Sequence, residues 1–339
     1  MGADAGYIQP LASWRVTLDG TDITDRFNPR LVSLRLSEKR GESADQLEIV
    51  VTDHDGNLAL PPEGATLSVE LGWERGTGVA TGLVAKGSFR VDEVTWEGPP
   101  DQVTITARSA DLKDSFRTRK TRLWKDKTLG AIIGQLAADN SLTPRCHGDL
   151  AGKRVTLAEQ HNKSDMQFVR DLGRRYDAVA TVKDGCLIFA PVGAATTSSG
   201  KALPALTVTR QSGDRYSYKR AARENAQDGA EANWHDQGAA KRKTATHGGS
   251  KRRRLKRVYA SEGDASAAAS AETNRLQRAA ASMEITLALG DATLAPGVRI
   301  TAQGFKSEVD GRQWQASGVE HSMDGSGGFQ TRLEMEVAV

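Results

Sequence analysis

Hydrophobic and polar positions alternate through the first third of the chain. The alternation runs through Trp14-Val16-Leu18, Leu31 to Leu36, Leu47-Ile49-Val51 and Leu67-Val69-Leu71, then Phe89-Val91, Val94-Trp96 and Val103-Ile105-Ala107. A period of two sends successive side chains to opposite faces, so these runs predict half-buried antiparallel strands. Asp19-Gly20, Asp55-Gly56-Asn57, Pro61-Pro62-Glu63-Gly64 and Gly98-Pro99-Pro100-Asp101 supply turn chemistry between them. Short strands in series without a convincing helix predict a β-barrel or sandwich domain over residues 1–116.

The period changes near residue 117. Leu129, Ile132, Ile133, Leu136 and Ala137 share one face of a predicted helix that Asn140 and Pro144 stop. Ser164-Asp165-Met166-Gln167 has capping-box spacing and opens a second helix with Phe168, Val169, Leu172 and Tyr176 on its face. The run 178–191 reads as a hairpin turning at Asp184-Gly185. Residues 117–192 thus form a small α+β domain, and the Gly/Ser/Thr-rich stretch after it places a linker at 193–202.

From 203 to 339 the pattern returns to β, at Leu206-Val208, Tyr216-Tyr218, Ile285-Leu289, Val298-Ile300, Trp314 to His321 and Phe329 to Val337. A polar insertion, 226–257, interrupts it. An Ala-rich helix near 264–283 follows, with Ala265, Ala268, Ala269, Leu276, Ala279, Ala280 and Met283 along one stripe. The fold class is mainly β with an α+β insert: two antiparallel β-barrel or sandwich domains flank the small α+β domain. The β regions also share an order of turn, strand, hairpin and closing strand. Pro62-x-Gly64 leads into Leu67 and then Phe89-x-Val91-x-x-Val94, while Pro296-Gly297 leads into Val298-x-Ile300 and then Trp314 to Val319. A duplicated module produces this order; so does the general likeness of antiparallel β sequences.

Charge adds what the pattern does not show. The 339 residues carry a net charge of only +3, but residues 1–114 are net −8, 115–190 net +6 and 258–339 net −5. Residues 241–257 carry nine cations and no acid: Lys241, Arg242, Lys243, Lys251, Arg252, Arg253, Arg254, Lys256 and Arg257. They are the candidate partner-binding residues, facing a polyanion or an acidic protein surface. Composition alone favours a solvated, mobile surface loop over that reading, and the run contains no aromatic residue to stack on bases, which argues against a nucleic-acid partner.

Catalytic and metal motifs fail. Gly152-Lys153-Arg154 lacks the hydroxyl residue of a phosphate loop. Asp53-His54-Asp55-Gly56-Asn57 has its glycine at the wrong position for a calcium loop and reads as a turn. Cys146, His147 and His161 fit no zinc spacing. His321 and Asp324 are near enough for an acid–base pair, but no nucleophile accompanies them. The expectation is a non-enzymatic chain with no cofactor. No window approaches the roughly 18 apolar residues of a membrane span, and the N-terminus lacks the basic and apolar regions of a secretory signal.

The C-terminal third carries a specific resemblance. Lys256-Arg257-Val258-Tyr259-Ala260-Ser261 leads into the Ala-rich helix, followed by Gly290-Asp291, Leu294-x-Pro296-Gly297, GFKSEVDGRQW at 304–314 and VEHSMDGSGGFQTRLEMEV at 319–337. Asp22-Ile23-Thr24, Leu71-Gly72-Trp73, GSFRVDEVTWEGPP at 87–100 and Asn162-Lys163-Ser164-Asp165 with Phe168 agree. With these motifs the chain resembles the late control D protein family, the baseplate hub of contractile-tailed phages and phage-tail-like particles, whose relatives form the base of type VI secretion spikes.

The resemblance implies tube-like β domains and a homotrimer, in which six quasi-equivalent modules adapt a sixfold tail tube to a threefold central spike. It also implies tape-measure and inner baseplate proteins as partners, and a place in the virion baseplate after assembly in the bacterial cytoplasm. The insertion 226–257 is the poorest match to the family. Two alternatives remain: a hub-type protein that also degrades cell wall, and a nucleic-acid-binding module using the basic run.

Overall fold

The computed structural model describes residues 6–41, 44–109, 114–183, 185–194, 205–220, 227–326 and 328–339. The alternating runs of the first third become strands β1 (Leu11–Leu18), β2 (Thr21–Asp22), β3 (Leu31–Lys39), β4 (Gln46–Thr52), β5 (Thr66–Arg75), β6 (Gly82–Glu97) and β7 (Gln102–Ser109). Their spatial order is β3-β4-β7-β6-β5-β1-β2. The skipped beat in Val91-x-x-Val94 is physical: β6 carries a bulge between Val91 and Glu93 where it pairs with β7. The alternating apolar positions, Leu34 to Val103 among them, are buried or half-buried in one core, except Trp96, which stays exposed.

The middle segment contains β8 (Arg119–Thr128), β9 (Thr143–Cys146), β10 (Arg154–Ser164), β11 (Ala178–Lys183) and β12 (Cys186–Pro191), with helices α1 (Leu129–Asp139) and α2 (Asp165–Tyr176). The Thr128 and Ser164 hydroxyls cap the helices by accepting from the Ala131 and Gln167 backbone N–H groups. Both predicted helical faces are buried in one cluster, in which Trp124 stacks on Phe168 at 6.0 Å. β11 and β12 form the expected antiparallel hairpin; Asp184 of its turn and most of the proposed linker lie outside the described residues.

The last segment contributes β13 (Ala205–Thr209), β14 (Gly213–Arg220), β15 (Gly229–Asp236), β16 (Lys241–Gly248), β17 (Arg252–Tyr259), β18 (Ala281–Leu287), β19 (Arg299–Gln303), β20 (Gln313–Asp324) and β21 (Phe329–Val337), with helix α3 (Glu262–Arg278) before β18. β13, β14, β18, β19, β20 and β21 occur in the order β14-β18-β21-β20-β19-β13. That order repeats β3-β4-β7-β6-β5-β1 element for element. The bulge between Leu31 and Ser33 against β4 recurs between Gly213 and Arg215 against β18, and the Val91/Glu93 bulge recurs as Ala316/Gly318. Gly64, at φ +78°, donates to the Val91 carbonyl, and Val91 donates to the Ala65 carbonyl. Gly297, at φ +97°, and Val298 repeat both bonds with Ala316, so the turn glycines aligned by sequence serve the same left-handed corner. One pairing departs: β1 runs antiparallel to β5, and β13 parallel to β19.

The two modules are continuous. β20 pairs antiparallel with β3 from Gly318↔Lys39 to Asp324↔Ser33, fusing them into one 13-stranded sheet. The first core is completed by Ala292, Met323 and Phe329 from the other module. At the seam the Trp73 indole N–H donates to the Gly290 carbonyl at 2.8 Å, and any Cβ on Gly290 would meet the Phe329 ring at 2.9 Å.

Two expectations are corrected. The basic stretch is no loop: β15, β16 and β17 form a separate sheet in the order β16-β15-β17 between β14 and β18, where the first module has only residues 40–45. The Ala-rich helix stops at Arg278, leaving Ala279 and Ala280 exposed and Met283 buried on β18. Composition concealed the sheet because its core is made of alanines: Ala230 and Ala232 pack on Ala265 and Ala269 of α3, with Trp234, Ala245, Leu255 and Tyr259 around them.

Candidate partner-binding surface

α3 covers one face of the small sheet, and alternation assigns the cations to sides. On the outer face lie Arg242, Thr244 and Thr246 of β16, Glu231, Asn233 and His235 of β15, and Arg252 and Arg254 of β17, in register across the three strands. Arg254 pairs with Glu231 at 2.5 Å, and the Thr244 hydroxyl donates to Asn233 at 2.9 Å. The covered side is tied down. Lys243 pairs with Asp236 at 2.5 Å over the Trp234 ring, and Arg253 reaches Glu272 of α3 at 2.7 Å. Arg257 lies over Tyr259. Lys256 and Arg257 fall in the irregular stretch between the two paired parts of β17. Lys241 opens β16 and Lys251 precedes β17. All nine side chains are exposed; the fold thus gathers them on one sheet but separates an outer group from a tethered one.

The sheet is anchored to the middle segment by a buried charge pair. Arg175 of α2 contacts Asp264 of α3, both nearly inaccessible, and its guanidinium lies 5.3 Å from the rings of Tyr176 and Tyr259. The Tyr176 hydroxyl donates to Asp264 at 3.1 Å. Burial, which disfavours the phenolate, pushes Tyr176 well above its ordinary value. Arg278 clamps Asp177 with two hydrogen bonds and reaches Glu336 of β21, which Arg40 also meets at 2.6 Å. These pairs form the wall of a cleft of about 610 Å³ where the three segments meet.

A second node sits at the β3–β20 seam. Glu38, 1% exposed, receives Lys86 at 2.6 Å and Lys183 at 3.2 Å, with His321 Nε2 at 3.5 Å. Lys86 also donates to the Ala292 and Leu294 carbonyls. Burial alone would raise the Glu38 carboxyl, but the His321 hydrogen bond and the charges of Lys86 and Lys183 overcome it and hold it at about 2. Burial lowers His321 and keeps it neutral; since a carbonyl only accepts, the Leu294 contact puts its proton on Nε2 and leaves Nδ1 to accept from Thr331. His321 is therefore a seam residue, while Asp324 accepts from Ser326 and Gly328 in the following turn. No sequence spacing joined Glu38, Lys86, Lys183 and His321; the predicted strands included only Lys183, in the hairpin at 178–191, and His321. Cys146 is half-buried on β9, its thiol pushed by burial to about 11, and His147 caps the next turn. Among the described residues no three His, Cys, Asp or Glu side chains are arranged to hold a metal, and no helix is long and apolar enough to cross a membrane.

The sequence matches the family model for the phage tail baseplate hub (GPD) over residues 45–327. The chain belongs to the phage tail baseplate hub family. It is 35% identical to the probable baseplate hub protein of Escherichia phage 186 over 99% of this chain and 95% of that one. It is also 35% identical to the corresponding protein of Escherichia phage P2, over 96% and 92%. As a structural component of this kind, it belongs in the tail baseplate of the virion. The fold is that of the 43 kDa tail protein of prophage MuSo2 from Shewanella oneidensis, at TM-score 0.66 and 12% identity over 96% of this chain and 98% of the other. It is shared by the E. coli c3393 protein, a type VI secretion component, at TM-score 0.57 and 11% identity over 90% and 73%.

Proposed function

We propose that the chain is a trimeric adaptor that joins a sixfold tail tube to a threefold central spike. The observation that carries this is the matched pair of modules: strand order, two bulges and the glycine corner recur within one chain. Three copies would present six near-identical modules to a sixfold ring, while the copies themselves keep threefold symmetry for a spike. In this reading the chain divides into a first tube-like domain (1–116), the α+β domain (117–192), a linker (193–202) and a second tube-like domain (203–339). The chain assembles and does not catalyse. Native mass spectrometry of the purified chain, alone and with its spike, tests the reading: a trimer that captures the spike supports it, and a monomer that binds neither spike nor tube sinks it.

The outer face of the small sheet is assigned to an acidic surface on a neighbouring tail component, such as the tube, the spike or the C-terminus of the tape measure. Arg242, Arg252 and Arg254 share that face without being needed by the alanine core, so replacing all three with Ser leaves the melting temperature unchanged and weakens partner capture, more so in low salt than in high. Unchanged capture at all salt concentrations would remove the assignment. A DNA shift abolished by the same triple variant would favour a nucleic-acid partner instead.

A further inference from the structure

The cleft where the three segments meet carries an excess of positive charge among its described residues. Six cations from three elements converge on its volume of about 610 Å³: Lys39 and Arg40 at the end of β3, Arg170 and Arg174 on one side of α2, and Arg275 and Arg278 on α3. Only two carboxylates, Asp177 and Glu336, line it with them. Both hold guanidinium groups in place. Asp177 accepts from Arg278 and from the Asn274 amide at 3.0 Å, and Glu336 receives Arg40 and Arg278. Arg275 turns to Glu272 at 3.1 Å, outside the lining, and donates to the Arg174 carbonyl at 2.9 Å. A cleft walled by one sign of charge focuses its potential and draws in ligands of the other sign.

We infer that this cleft binds an acidic peptide, a short extended segment in which carboxylates alternate with aliphatic side chains. Five of the six cations are arginines, whose planar forks match carboxylates bidentately where a lysine offers only a point charge. The rest of the wall is largely aliphatic, with Ala178, Val179, Ala180 and Val192. No aromatic side chain lines the cleft among the described residues, so it gives a nucleic acid nothing to stack on. Its volume is that of a small-ligand site, with room for a few residues of peptide and not for a folded domain. The site is also preformed. Arg275 bonded to the Arg174 carbonyl and Arg278 clamped on Asp177 tie α3 to the end of α2, so these groups are ordered before a ligand arrives and less freedom is lost on binding. The cleft is distinct from the outer face of the small sheet, since none of Arg242, Arg252 and Arg254 lines it.

The probe is a fluorescein-labelled hexapeptide of alternating glutamate and leucine, titrated against the full chain by fluorescence anisotropy. Unlabelled peptide, tripolyphosphate and oligothymidylate serve as competitors. The wild type is expected to bind the peptide saturably, and less tightly as salt rises. Lys39→Glu with Arg174→Glu is expected to weaken binding about tenfold or more, and to bind instead the same peptide with lysine in place of glutamate. Lys39→Gln with Arg174→Gln, which removes charge without reversing it, gives a smaller loss and serves if the reversed variant does not fold. Arg242→Ser, Arg252→Ser and Arg254→Ser together leave the affinity unchanged. No binding to the wild type, equal binding by the cleft variants, or a loss confined to the small-sheet variant overturns the inference. Displacement by tripolyphosphate or oligothymidylate at lower concentrations than the unlabelled peptide needs overturns the assignment to carboxylates. The inference does not depend on the number of copies, so a monomeric chain that binds the peptide upholds it while overturning the ring reading.

Discussion

Single side chains at the β3–β20 seam carry an acid sensitivity whose sign follows from their surroundings. Glu38 is held at about 2, against 4.5 when unperturbed, so its contribution is complete above pH 4.5 and is lost as the pH falls towards 2. The shift corresponds to about 3 kcal/mol. His321 is lowered from 6.5, so the unfolded chain gains a proton there first, and stability declines from about pH 6.5 downward. Both groups destabilise in the same direction. Thermal melts at pH 7, 5 and 3 are expected to show a falling midpoint. Glu38→Gln flattens the acid limb but costs about 3–5 kcal/mol at pH 7, because Lys86 keeps a buried charge without its partner. An unchanged midpoint in the variant would show that the node contributes nothing to the seam.

At the scale of elements, the small sheet shows how composition misleads. Nine cations read as a loop that no core could hold, yet the strands are stabilised from the other side by four buried alanines and the rim of Trp234, Leu255 and Tyr259. The alanines let α3 approach the sheet closely, and a small contact does not register as hydrophobic periodicity. Trypsin cleaves after Lys and Arg in exposed flexible chain, so residues 241–257 are expected to resist it in the folded protein. Ala269→Leu overpacks the contact at a cost of about 1–3 kcal/mol and should open those sites well before the rest of the chain unfolds. Rapid wild-type cutting at these sites would contradict a folded sheet. The capped helices were easier to read. Thr128 and Ser164 cap α1 and α2 through local hydrogen bonds, and such bonds depend on residues a few positions apart.

At the scale of the whole molecule, the defining feature is a single sheet made from two copies of one module. Alternation determined the strands of the two β modules, turn residues their ends, and the family motifs the baseplate role, because each is a local record of burial or of backbone angle; alternation did not show β8 to β10 or the small basic sheet. Even the Val91-x-x-Val94 interruption, a bulge, was written in the order of residues. The sequence did not determine that β20 would pair with β3 across nearly 300 positions, or that Glu38, Lys86, Lys183 and His321 would share one buried node. Those contacts link residues that no periodic pattern connects, and their strength comes from desolvation that exists only once the chain has closed around them. The net charge of +3 likewise said nothing of where the cations would point. Tertiary structure decided that, by covering one face of the basic sheet with α3 and leaving the other in water.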